Sequence, residues 1–402
     1  MSMRIKTILN YWLATVLALG TLGVSCIEKI EPSPSFNNRS LVVDGLITDE
    51  WAPYTIKLSR TASLGTQITD PEPGATVVVK SSEGQEYSFE ESSPGLYQSN
   101  PDEFIGKTGR FYTLEITTKN GQHYLSDATL LKAVPPIDSV YFEPALRLAD
   151  FSGDTITGVA ILVDTHDTTN TTSYYRWDWE EAWEIKVPYP NTYDWVVWPV
   201  LIPTAERFGY EVPNNHRVER CYSTKSSSGL LLSTSVGLAQ DRISKYEVTY
   251  VSTEGYKLNS LYSIQVRQYA LDEKEHHYWS ELKKLSESLG TLFDPQPYDL
   301  RGNMHSINDP AEPVLGYFSA SAVSKKRLYI DRSELLDIKF PYSVCAQELA
   351  YVENKYVQNY IEAGYLIAAL GDYGSGHYYL APAECCDCRF HGVLEKPDFW
   401  PL

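Results

Sequence analysis

The chain has 402 residues, of which 43% are hydrophobic and 21% charged, a balance that belongs to globular proteins and excludes a mostly disordered or fibrous one. This length allows one to three domains. With 52 acidic against 34 basic residues the formal charge is -18, so the overall field opposes binding to nucleic acid and to anionic lipid, and neither is expected as a partner.

Arg4 and Lys6 precede an apolar run from Ile8 to Leu22, which together form the charged and apolar regions of an export signal. The run is short for a stable membrane span. It ends at Gly23-Val24-Ser25-Cys26, and a cysteine in that setting resembles a bacterial lipobox, although Gly23 stands where Leu is commonest. Residues 1–25 are therefore expected to be a lipoprotein signal peptide and Cys26 the lipidated residue that begins the mature chain. Residues 26–39, with Pro32, Pro34, Asn37 and Asn38, read as a flexible tether.

Residues 40–133 form short β-rich runs such as Leu41-Val42-Val43, Ala75 to Val79 and Phe111 to Ile116, punctuated by turn residues. Ser82-Glu83-Gly84 and Lys119-Asn120-Gly121 each have the chemistry of a hairpin turn. Seven such runs predict an antiparallel β-sandwich, which resembles an immunoglobulin-like or carboxypeptidase-regulatory-like module. Val134-Pro135-Pro136 breaks helix and ladder alike, because proline has no amide donor, and marks a domain boundary.

A larger β-rich domain with one or two helices is expected over residues 137–402. From Tyr175 to Val187 the residues alternate, with Tyr175, Trp177, Trp179, Trp183 and Ile185 on one face and Arg176, Asp178, Glu180, Glu184 and Lys186 on the other. This long amphipathic strand is expected to pair with Tyr193 to Val200 through the loop Pro188-Tyr189-Pro190-Asn191. Further strands are expected at 158–163, 229–234, 246–251, 261–269, 314–320 and 327–330. Asp272 followed by Glu275 caps a helix whose stripe is Tyr278, Leu282, Leu285 and Leu289, with Gly290 as its stop. Gln347 to Tyr360 is a second helix candidate.

In an oxidising compartment the five remaining cysteines, Cys221, Cys345, Cys385, Cys386 and Cys388, are expected to form two disulfides and leave one thiol. The pairing stays open among fifteen alternatives. The spacing Cys385-x-x-Cys388 also suits zinc, but His377 and His391 are only scattered additional ligands, so no metal and no cofactor is expected.

Several segments together resemble one family. They are Val43-Asp44-Gly45-Leu46-Ile47-Thr48, Leu58-Ser59-Arg60-Thr61, Pro73-Gly74-Ala75-Thr76-Val77, Val134 to Val140, Tyr175-Arg176-Trp177, Gly302-Asn303, Val314 to Phe318, and the tail Cys385-Cys386-Asp387-Cys388 with Lys396 to Trp400. In order and content they resemble the outer-membrane lipoproteins of Bacteroidota that carry domain of unknown function 4249. The resemblance implies a cell-envelope role near TonB-dependent transporters, and it carries no catalytic residues.

The chain has no Gly-x-Ser-x-Gly, His-Glu-x-x-His, P-loop or calcium-loop pattern, and Gly371 to Gly376 reads as a turn. His276-His277 opens a helix, where neighbours point about 100° apart, and reads as a solvated face. Glu181 shares the parity of the aromatic face, where an unpaired carboxylate is costly, so an Arg, Lys or Tyr partner or an exposed rim is expected. Trp195 and Trp198 differ in parity, so one of them should face outward; with Glu181 they form the candidate binding surface. The expectation is a non-enzymatic, lipid-anchored outer-membrane protein on the cell surface or the periplasmic face. It would bind a TonB-dependent transporter or its small-molecule or glycan cargo. The alternatives are a surface glycan hydrolase and a structural or adhesive envelope protein.

Overall fold

The computed structural model describes residues 39–61, 70–148, 155–198, 208–216, 218–287, 300–341, 345 and 348–401. The expected signal peptide, Cys26, Val200, Leu289 and Gly290 lie outside the described residues. The protein is mainly β. No helix among the described residues is long and apolar enough to cross a membrane.

Period-two patterning builds the N-terminal sandwich. Along Leu41–Ile47 and Phe111–Thr117 alternate residues are buried, among them Leu41, Val43, Tyr112, Leu114 and Ile116. Both predicted hairpins form: Thr76–Ser81 pairs with Glu86–Ser93, and Phe111–Thr117 with His123–Ser126. Gly84 and Gly121 sit in their turns at φ of 82° and 84°, a region that glycine enters without a steric penalty.

The sandwich is closed by strands from much later in the chain. Met304–Ser306 pairs antiparallel with His123–Ser126 at one end of the eleven-stranded sheet, and Leu315–Ala320 pairs parallel with Leu41–Ile47 at the other. Met304, Val314 and Phe318 thus enter the same core as Leu41, Tyr97 and Leu114.

Asn303, 5% exposed, fastens the two closing strands together. Its Oδ1 accepts from the Phe318 N–H at 2.9 Å, and its Nδ2 donates to the Phe318 carbonyl at 2.8 Å. Beside it the backbones approach so closely that a Cβ on Gly316 would lie 1.8 Å from the Val43 carbonyl oxygen. Gly316 also has φ of 92°, so space and dihedral both demand glycine.

After Pro136 three further sheets follow. Ile137–Leu148, Arg242–Ser252 and the intervening Thr155–His166 form a three-stranded sheet. A five-stranded sheet is built around Tyr174–Lys186 and Tyr262–Leu271. These two sheets share a core that includes Val159, Ile161, Trp177, Trp179, Tyr262 and Ile264. The last sheet contains Tyr193–Val197, Gly209–Pro213, Ala350–Glu353, Tyr365–Leu370 and His377–Pro382, with the helix Asn354–Glu362 contributing Val357 to its core.

The helix predicted after Asp272 spans Glu273–Glu287, and the Asp272 carboxylate accepts from the Glu275 N–H at 2.7 Å. Of its predicted stripe Tyr278 is buried, while Leu282 and Leu285 are half-buried. Gly371 to Gly376 forms a turn, as expected.

Four local expectations need correction. Tyr174–Lys186 does not pair with Tyr193–Val197: one edge is taken by Tyr262–Leu271, and the other by Arg220–Ser226 and Leu231–Thr234. The Pro188 to Asn191 loop turns away to dock on the cysteine-rich tail, with the N–H groups of Tyr189 and Asn191 donating to the carbonyls of Cys385 and Cys386. The segment 350–353 is a strand rather than the start of a helix, because Tyr351 and Val352 find ladder partners in Tyr379 and Tyr378. Glu184 is not on a wet face; it is 5% exposed, and it pairs with Arg220 at 3.0 Å and Lys186 at 3.1 Å. His276 is half-buried against Tyr174, with ring centroids 4.9 Å apart, and burial lowers its pKa, whereas His277 is exposed.

Replacing Asn303 with Ala would leave the buried Phe318 N–H and weaken its carbonyl pairing, and should cost about 2 to 4 kcal/mol in urea unfolding. The tyrosines give a second expectation. Burial pushes Tyr246 and Tyr378 up to about 12, the Glu211 carboxylate adding to the effect at Tyr378, and Tyr262 is likewise pushed well above its usual range. Unfolded tyrosine titrates near 10, so above that pH the folded state binds more protons and loses stability as pH rises. The urea midpoint should be flat between pH 8 and about 9.5 and then fall steadily toward pH 12.

Candidate functional site

Two adjoining lobes of about 560 and 420 Å³ open where the five-stranded sheet meets the cysteine-rich tail. Glu254, Gly255, Tyr256 and His391 line both lobes, so they form one cleft. The strand Tyr174–Lys186 contributes Trp183, and Arg242–Ser252 contributes Tyr250. Between Ser252 and Tyr262 the chain makes a compact turn, in which Asn259 Nδ2 donates to the Gly255 carbonyl at 2.7 Å and the Glu254 N–H donates to Ser252 Oγ at 2.9 Å. Gly255 has φ of 81° and open space around it, so the dihedral alone favours glycine.

Glu181 lies at the base of this turn. Alternation puts it on the aromatic face, where it is 1% exposed. Its Oε1 receives the Lys257 ammonium, and its Oε2 accepts from the Tyr262 hydroxyl at 2.8 Å. Lys257 Nζ also sits 4.9 Å from the centre of the Trp183 ring. The partner that Glu181 needs is thus supplied twice, by a lysine and by a tyrosine. Desolvation and the neighbouring Glu181 charge both hold Tyr262 protonated.

The tail forms the opposite wall. Its shape is set by Cys221–Cys388 and Cys345–Cys385, with Cα separations of 5.5 and 5.7 Å. One of the fifteen pairings is therefore realised, and the two cysteines of the C-x-x-C spacing join different partners instead of sharing a metal. No cluster of three or more His, Cys, Asp or Glu suited to a metal occurs among the described residues. Cys386 is the free thiol; it is buried, points at the Ala381 carbonyl at 3.7 Å, and is pushed up to about 12 by burial.

His391 Nε2 lies 2.8 Å from the Glu384 carbonyl, which makes it the protonated ring nitrogen, and the ring packs 4.4 Å from Tyr256. Burial, then the Glu384 charge, raises the Tyr256 pKa. The assembled surface offers ring faces from Trp183, Tyr250, Tyr256 and His391, with the carboxylates of Glu254 and Glu384 exposed at its edge.

Of the residues singled out from the sequence, Glu181 lies beneath this cleft and Cys345 and Cys385 line it. Trp195 and Trp198 belong to a different sheet. Trp195 packs edge-on against Tyr378 at 5.2 Å with its indole N–H buried and without a hydrogen-bond partner among the described residues, and Trp198 is the outward-facing one, 56% exposed. Tyr256, Lys257, Glu254 and Glu384 escaped sequence reasoning because they converge only after folding. The available signal was the expectation of an Arg, Lys or Tyr partner or an exposed rim for Glu181, and the cation found there is Lys257.

Removing that cation isolates its contribution. Lys257→Ala should lower stability by about 2 to 3 kcal/mol, less than for a fully enclosed pair because Lys257 is partly exposed. Adding Glu181→Gln to it should recover most of that loss, which a double-mutant cycle in urea would measure.

No curated protein matches the chain. The model of domain of unknown function DUF4249 matches residues 27–327, crossing Pro135-Pro136 and including both the closing strands of the sandwich and the Glu181 to Lys257 floor of the cleft. Because that match covers most of its length, the chain belongs to the DUF4249 family.

Proposed function

We propose that the protein is a lipid-anchored component of the outer membrane that works by recognition rather than by making or breaking bonds. In this reading, cleavage before Cys26 leaves an acylated N-terminus, and residues 26–39 tether the folded part to the membrane. One acyl chain alone holds a protein only marginally, so the several chains of a lipoprotein are what retain it. The partner we propose is a TonB-dependent transporter, with the aromatic cleft holding its cargo.

The observation that carries the binding reading is the chemistry of the cleft. Its walls are ring faces, which bury apolar area and orient flat ligands. Its innermost carboxylate, Glu181, is already engaged by Lys257 and Tyr262 and is poorly placed to move protons.

One observation favours the hydrolase reading: Glu254 and Glu384 line the same lobe, and glycosidases work with two carboxyls roughly 5 to 10 Å apart. Both side chains are exposed, however, which works against the desolvation that arms a general acid.

Affinity purification of the native lipoprotein from mild detergent separates the readings. A transporter in the eluate, and release of a Cys26→Ala variant from the outer-membrane fraction, are the expected results. Hydrolysis in a glycan panel that is abolished by Glu254→Gln or Glu384→Gln would replace the recognition reading with the enzymatic one.

A further inference from the structure

The cleft has an unbalanced charge. Glu254 and Glu384 stand at its edge, and among the described residues neither forms an ion pair. The one lysine that lines it, Lys257, is neutralised by Glu181. His391 donates through Nε2 to a backbone carbonyl. A negative ligand would therefore meet two carboxylates and find, among the described residues of the cleft wall, no uncommitted ammonium or guanidinium.

The rings show the same preference. Lys257 Nζ stands 4.9 Å over Trp183, and the Arg147 guanidinium stands 5.1 Å over Tyr250. Both rings belong to the cleft lining, so two of its aromatic faces already hold positive groups of the chain itself. Tyr256, between the two lobes, has no such internal partner among the described residues and lies within the field of Glu384.

Building on the recognition reading above, we infer that the cleft binds organic cations: an ammonium or guanidinium on an apolar stem, seated against Tyr256 and held between Glu254 and Glu384. The apolar stem would lie along the ring faces while the charge stays near the wet edge. This division suits arginine and lysine side chains, which bury their methylenes and keep their heads hydrated. The chain's charge of -18 would further draw such ligands from solution.

The test is isothermal titration calorimetry on the folded protein with triarginine amide and spermidine, compared with N-acetyl-triglycine amide, which carries no charge, and maltotriose. Both cations should bind, the neutral peptide should not, and raising NaCl from about 50 to 500 mM should weaken binding. Glu254→Gln/Glu384→Gln, two exposed substitutions, should reduce cation affinity roughly tenfold. Tyr256→Leu should weaken it as well, and circular dichroism would show that both variants keep the fold.

Cation affinity equal to that of N-acetyl-triglycine amide, or unchanged in the carboxylate variant, overturns the inference. Maltotriose binding that is lost in Tyr256→Leu but kept in the carboxylate variant also overturns it, while leaving the cleft as a recognition site. If no probe binds, the inference fails, and the transporter reading is then decided by co-purification alone.

Discussion

A carboxylate placed among aromatic side chains must acquire a counter-charge, and much of the second half of this protein is arranged around that need. Glu181 enters the apolar face of the long strand Tyr174–Lys186 because period-two alternation leaves it no other direction. Its charge is met by Lys257, which the chain delivers on a short turn between two sheets, and by Tyr262, the first residue of the next strand. The turn that brings the lysine also brings Glu254 and Tyr256 to the surface. A structural requirement in the core thereby determines which groups meet at the cleft.

The opposite wall follows from a second constraint, covalent rather than electrostatic. The tail has little regular structure beyond Ala383–Cys386 and Cys388–Phe390, and two disulfides tie it to Cys221 in Arg220–Ser226 and to Cys345. Trp400 adds an apolar peg between Ala182 and Tyr222. Trp400 thereby covers part of the strand face that alternation assigned to solvent, where Glu184 is buried with Arg220, Lys186 and Ser260 as its partners.

Much of the architecture was legible from local chemistry. The hairpins at Gly84 and Gly121, the strand with Trp177 and Trp179 facing inward, and the Asp272 cap depend on neighbours in sequence. What was not legible depends on distant partners. A strand was expected from Tyr193 to Val200, but nothing local shows that the neighbours of Tyr193–Val197 would be Gly209–Pro213 and Ile367. The same limit hid the cleft, whose walls come from residues more than a hundred positions apart. Gly302-Asn303 and Gly316 stood out in the sequence as family-like residues, and their reason is visible only in the closed sandwich, where one amide spans Phe318 and a missing Cβ admits Val43.

That closure constrains the order in which the molecule can form. Leu41–Ile47 acquires its parallel neighbour only when Leu315–Ala320 is present, so the earliest strand among the described residues waits for one of the later ones. Until then its edge offers unpaired amides and carbonyls that any other strand could capture. Contacts so remote in sequence make for slow folding. The first sheet is thus among the first parts to be synthesised and among the last to be completed, and a holding factor acting on nascent chains would find its longest-lived target there.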